Sequence, residues 1–218
     1  MTAIRHTLYI KDKRYLISVL SAVALLCFSL LVNYYAGLYA TERASNSVTD
    51  LILDNIPVFD LDGVFVYGAI LFWTFVGLLC INRPHVLPFT FKSIALFTLI
   101  RSLFITLTHI GPFPNQVAVT SSLLSKISFG GDLFFSGHTG LPFLMALIFW
   151  RRPILRYFFI ASSLLFGLVV LLTHLHYSID VLSAFFITYS IYHIAEFLFK
   201  RDRKLFYAPL EDGHGRNA

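Results

Sequence analysis

The sequence predicts an all-α membrane fold: a six-transmembrane-helix bundle whose chemistry gathers at the extracytoplasmic end. Three observations carry that expectation. Only 13% of the 218 residues are charged and 57% are hydrophobic, against about 25% charged in soluble domains, so the apolar surface exceeds what a water-soluble core can hide. The apolar residues come in six continuous runs, and continuous runs can satisfy their backbone in lipid only as helices, since a barrel needs alternation. The basic residues fall almost entirely on one side of those runs.

The runs lie at about 15–35, 64–81, 93–110, 133–150, 157–173 and 181–199. Each can cross a hydrocarbon core of about 30 Å as a helix, the shorter ones barely. The first is long and no small-residue cleavage site follows it, so it is expected to be an uncleaved span rather than a signal peptide. Cys27 and Cys80 both sit inside apolar runs, where a thiol behaves as a small hydrophobe, and they form no disulfide framework. The expected organisation is a cytoplasmic segment at 1–14, a six-helix catalytic domain at 15–200 and a cytoplasmic tail at 201–218, polar and disordered from Asp202 onward.

Orientation follows from lysine and arginine, because short cytoplasmic loops carry the excess. Fourteen of the seventeen basic residues lie before run one, between runs two and three, between runs four and five, or after run six; Arg43 and Lys126 lie on the other side and Arg101 within a run. The other side gathers Glu42, Asp50, Asp54, Asp60, Asp62, Asp132 and Asp180. Both termini are therefore expected in the cytoplasm, with the loops 37–63 and 111–132 outside it. The net charge of +5 is then a topology signal and a contact for anionic headgroups, not a sign of nucleic-acid binding.

Two polar blocks interrupt this apolar chain, both at the extracytoplasmic end. The first is Gly130-Gly131-Asp132-Leu133-Phe134-Phe135-Ser136-Gly137-His138-Thr139. Polar groups are expensive in lipid, which points to function. Ser136 and the amides around Gly137 can donate to phosphate oxygens at a helix N-terminus, or Ser136 and Asp132 can be ordinary helix caps. Asp132 can also attract a cationic headgroup or orient His138. The second block is His174-Leu175-His176-Tyr177-Ser178-Ile179-Asp180-Val181. If it is helical, His176 and Asp180 share a face, and Asp180 can fix one imidazole tautomer and leave the other nitrogen free to attack. Arg101, a lone charge within a span, must reach a partner or a hydrated cavity: it steadies a phosphate, or it forms a buried ion pair. His109 and His174 lie on the same side without a clear role.

Taken together, the two blocks resemble those of the sphingomyelin synthase family, a branch of the type 2 phosphatidic acid phosphatase superfamily, which carry Cys-Gly-Asp-x-x-x-Ser-Gly-His-Thr and His-Tyr-Thr-x-Asp-Val. Arg101 with Pro112 and Pro114, and Pro57 with Asp60, are weaker echoes of that family's third span and of the element ahead of its second. The chain departs from the pattern at Gly130, where the family has Cys, and at Ser178, where it has Thr. The wider superfamily's Lys-x6-Arg-Pro block is absent: Val76 stands where the lysine would precede Arg83-Pro84.

The resemblance implies a covalent phosphohistidine mechanism, with His176 as nucleophile, Asp180 as its orienting partner and His138 as general acid and base. Arg101, Asp132, Ser136 and Gly137 would bind substrate. It implies no metal and no cofactor, a phospholipid as donor, and a lipid alcohol such as ceramide as acceptor of a phosphocholine or phosphoethanolamine headgroup. The same histidines serve a lipid phosphatase or a phospholipase C-like hydrolase when water resolves the intermediate. A non-enzymatic transporter or scaffold would account for the spans but not for two histidine blocks on one side.

Overall fold

A computed structural model of the chain describes Tyr9, residues 12–117 and residues 134–207. All regular structure among them is helical. The helices are α1 (Lys13–Glu42), α2 (Asp62–Asn82), α3 (Leu87–Leu107), α4 (Gly137–Ile148), α5 (Pro153–Leu172), α6 (Ser178–Leu198) and α7 (Lys200–Tyr207), with short 3-10 turns at Leu53–Asn55 and Pro84–Val86.

Five of the six apolar runs become helices long and apolar enough to cross a membrane, so the chain is a multi-pass membrane protein. Their ends differ from the sequence expectation in ways that proline and polar caps explain. α1 starts where the Asp12 carboxylate accepts the N–H groups of Arg14 and Tyr15, and it runs about two turns beyond Tyr35. α3 begins six residues early because Pro88 lies in its first turn, where a missing N–H costs nothing. The fourth run forms only the twelve residues of α4, about 18 Å at 1.5 Å per residue, which falls short of a hydrocarbon core.

The two ends of the bundle are tied by separate sets of contacts. At the basic end the Tyr15 hydroxyl donates to the Pro84 carbonyl at 2.9 Å, and Phe206 packs on Phe89 and Phe149. Lys92 pairs with Asp202 at 2.7 Å, both nearly buried, and the Ser18 hydroxyl joins that carboxylate. This corrects the expectation of a disordered end from Asp202: the residues to Tyr207 form α7, pinned because Asp202 neutralises a buried ammonium and Phe206 fills the core. At the other end, Ser45 N–H donates to the His109 carbonyl, Phe59 N–H to the Leu172 carbonyl and Val117 N–H to the Thr173 carbonyl.

Between these ends α4 lies against α3, α5 and α6. Close approach needs Gly140, where a Cβ would meet the Phe97 ring and Thr188 Oγ1 at 2.8 Å. The Ser163 hydroxyl also donates to the Thr139 carbonyl at 2.7 Å, fixing α5 against the first turn of α4. The packing therefore secures the N-terminal turn of the helix that carries Ser136 to Thr139.

Candidate active site

The start of α4 is organised by its own sequence. Ser136 is the N-cap, fully buried, and its oxygen accepts the Thr139 N–H at 3.3 Å and lies 3.2 Å from the Thr139 hydroxyl. Of the two roles open to Ser136 from sequence, the cap is the one its contacts display. Gly137 gives Arg101 its seat: a Cβ there would lie 3.4 Å from the Arg101 Nε. Arg101, buried to 8% exposure, donates from Nε to the Phe135 carbonyl at 2.7 Å. A charge on α3 thus holds the backbone that leads into His138. Asp132, with Gly130 and Gly131, lies outside the described residues.

The second block is shaped by the end of α5 and the start of α6. α5 closes in a Schellman motif, with His174 N–H donating to the Leu171 carbonyl and Leu175 N–H to the Val170 carbonyl. His174 occupies the left-handed position at φ 57, where glycine is usual. The chain then turns through His176 and Tyr177 before α6 begins at Ser178. The pair His176 and Asp180 is therefore not on one helix face, as the spacing suggested. Asp180, third in α6, reaches back over the helix start: its Oδ2 accepts Tyr177 N–H at 3.0 Å and lies 3.4 Å from His176 Nδ1. That distance lies beyond the usual range of about 2.7–3.2 Å for such a hydrogen bond.

The contact is made by a different geometry from the one expected. With an imidazole that carries its proton on Nδ1, Asp180 would accept it and Nε2 would keep its lone pair. His176 is 7% exposed and Asp180 is fully buried. The other carboxylate oxygen, Oδ1, has no hydrogen-bond partner among the described residues.

The two blocks meet through backbone: Ser136 N–H donates to the Asp180 carbonyl at 3.1 Å. His138, on the first turn of α4, stacks on the Phe65 ring with centroids 4.1 Å apart and meets the Phe166 ring at 6.1 Å. It lies within electrostatic reach of both His176 and Arg101. His138, His176, Asp180, Arg101, Ser136 and Gly137 therefore form one neighbourhood. His109 turns aside to Tyr39, with ring centroids 5.6 Å apart. Among the described residues no three His, Cys, Asp or Glu side chains converge as metal ligands would.

Two residues beside this neighbourhood were not legible as functional. Tyr177 is 2% exposed; its hydroxyl donates to the Gly111 carbonyl at 2.9 Å and accepts Val48 N–H at 3.2 Å. Asp50 accepts Ser178 N–H at 2.7 Å, capping α6 from a distant loop, and also accepts the Ile52 and Leu53 N–H groups. The only sequence signal for Asp50 is its place before the short apolar run Leu51-Ile52-Leu53, an N-cap position.

The family model described as PAP2 superfamily C-terminal matches residues 130–197, which span both histidine blocks and nearly all of α6. The match supports the type 2 phosphatidic acid phosphatase superfamily and, broadly, an enzyme of lipid phosphatase or phosphotransferase type. No curated protein and no solved structure matches the chain.

Proposed function

We propose that the protein is a lipid phosphotransferase that moves a phosphorylated headgroup, phosphocholine or phosphoethanolamine, from a glycerophospholipid to a lipid alcohol such as ceramide, as sphingomyelin synthases do. The observation that carries the reading is the buried pair His176–Asp180 beside His138. His176 Nε2 attacks phosphorus, the bond from phosphorus to the diacylglycerol oxygen breaks, and His138, whose protonated form the negative charge of the bound phosphodiester favours, gives its proton to the departing alkoxide. The acceptor hydroxyl then attacks phosphorus, His138 takes its proton, and the bond from phosphorus to nitrogen breaks. Asp180 holds the ring and stabilises the positive charge on it. Arg101 positions the His138 turn through the Phe135 carbonyl, and Asp132 and the Gly137 turn serve the headgroup.

Burial of His176 favours transfer over hydrolysis, since transfer needs a site that excludes water. The reading includes a catalytic domain of six spans at 15–200, flanked by cytoplasmic segments, with the site opening to the outer or lumenal leaflet. Purified protein incubated with headgroup-labelled phosphatidylcholine, phosphatidylethanolamine and phosphatidic acid, with and without ceramide, tests it. Labelled ceramide product that depends on ceramide is expected. Water-soluble labelled headgroup or phosphate, formed at the same rate with or without ceramide, would make the enzyme a hydrolase instead.

A further inference from the structure

The connection between α1 and α2 and the connection that follows α3 meet above the start of α6, and they are bound to each other. Ser45 N–H donates to the His109 carbonyl at 2.8 Å and Gly111 N–H to the Asn46 carbonyl at 3.2 Å. Tyr177 holds both from beneath, because its one hydroxyl bonds the Gly111 carbonyl and the Val48 N–H. Asp50 adds a third tie through Ser178 N–H. Leu53 and Tyr177 are fully covered there, packed with Ile56, Ile110, Phe113 and Leu171. This is an apolar cluster separate from the core of the bundle, seated on the residue that follows His176.

The cluster is costly to assemble by chance. A Cβ on Gly111 would fall 2.1 Å from the Ser45 carbonyl oxygen, so only a bare Cα permits the two connections to approach. Burial, with the negative charges of Asp180, Asp50 and Asp54, pushes the Tyr177 phenol above its ordinary range. It therefore stays protonated and keeps donating to Gly111. Because that hydroxyl is committed to the cap's backbone, it has no part in the chemistry.

We infer that this cap is the water barrier over the phosphohistidine, and that Tyr177 and Gly111 determine whether the phosphoryl group passes to a lipid hydroxyl or to water. The inference rests on His176 being the nucleophile. Both acceptors react alike: an oxygen attacks phosphorus, His138 takes the proton and the bond to Nε2 breaks. What separates them is approach. A lipid alcohol would enter sideways from the bilayer, whereas water would come through the aqueous end of the bundle, where the cap is bonded to Tyr177 and Ser178, the two residues that follow His176.

The test measures a partition ratio. Vesicle-reconstituted wild type, Tyr177→Phe and Gly111→Ala receive each of the three headgroup-labelled donors with ceramide, and water-soluble label is compared with labelled ceramide product. Removing the phenol's two hydrogen bonds is expected to raise the water-to-lipid ratio roughly tenfold, with diacylglycerol release within the wild-type range. Gly111→Ala, acting from the other side of the contact, is expected to do the same. An unchanged ratio in both variants overturns the barrier. So does a wild type that sends most of its label to water, an outcome compatible with His176 as nucleophile; no diacylglycerol from any donor overturns the proposed function itself. Amide hydrogen exchange of wild-type Gly111 and Ser178, whose N–H groups are held by the Asn46 carbonyl and Asp50, is a check that depends on no variant: slow exchange is expected, and the rate of an open loop contradicts a closed cap.

Discussion

At the residue scale, the proposed mechanism gives two histidines separated by 38 positions unlike roles, and their surroundings differ. His176 has a carboxylate beside Nδ1, as a nucleophile at the far nitrogen would need. His138 lies between the Phe65 and Phe166 rings and is proposed to pass the proton. A general acid matters in proportion to how poor the leaving group is. His138→Ala is therefore expected to slow a natural phospholipid by two to four orders of magnitude, roughly the range of general acid catalysis, while sparing an activated aryl phosphodiester. Steady-state rates on the two substrates decide it, and equal losses would remove His138 from the proton transfer.

At the element scale, the helix starts carry the site, and their caps could be read only in part. Ser136 ahead of an apolar run is a cap signal within four residues of sequence, and it holds. The tie between His176 and Asp180 was legible as a pair but not as a geometry, because spacing alone cannot say that Asp180 reaches back across a helix start. Asp50 was invisible, since its partner Ser178 is 128 positions away. Its electrostatics make a prediction. Burial pushes the Asp50 carboxyl up, but N–H donors from Ser178, Leu53 and Ile52 outweigh burial and hold it below its ordinary 3.8. A carboxyl depressed in the folded state contributes stability that is fully present above its unfolded pKa and is lost as pH falls through the folded value. Thermal unfolding of wild type and Asp50→Asn is therefore expected to differ near neutral pH, with wild type the more stable, and to converge in acid below about pH 4. A constant difference across that range would mean that the Asp50 charge contributes nothing.

At the scale of the whole molecule, the helical class and the charge asymmetry were the most legible features, because lipid tolerates so few solutions for the backbone. The fourth run was the exception. Hydropathy extends it through Phe134 and Phe135, but polar Ser136 and the grip of Arg101 on the Phe135 carbonyl start the helix only at Gly137. The connections at the two bundle ends differ in basic residues, and the positive-inside rule turns that difference into a prediction of orientation. With Cys27 and Cys80 removed, a cysteine placed near Arg152 is expected to resist a membrane-impermeant thiol reagent in intact cells, and one near Asn115 to react. The reverse pattern would put the histidines on the cytoplasmic leaflet. Yet topology only sets the leaflet; the proposed mechanism requires that His176 become phosphorylated. Headgroup-labelled donor mixed with enzyme, quenched while the intermediate is populated and digested under conditions that preserve acid-labile phosphohistidine, measures it directly. Label on the peptide that contains His176, absent in His176→Ala and reduced in Asp180→Asn, is expected; turnover by His176→Ala at the wild-type rate, with no label on that peptide in the wild type, would contradict it.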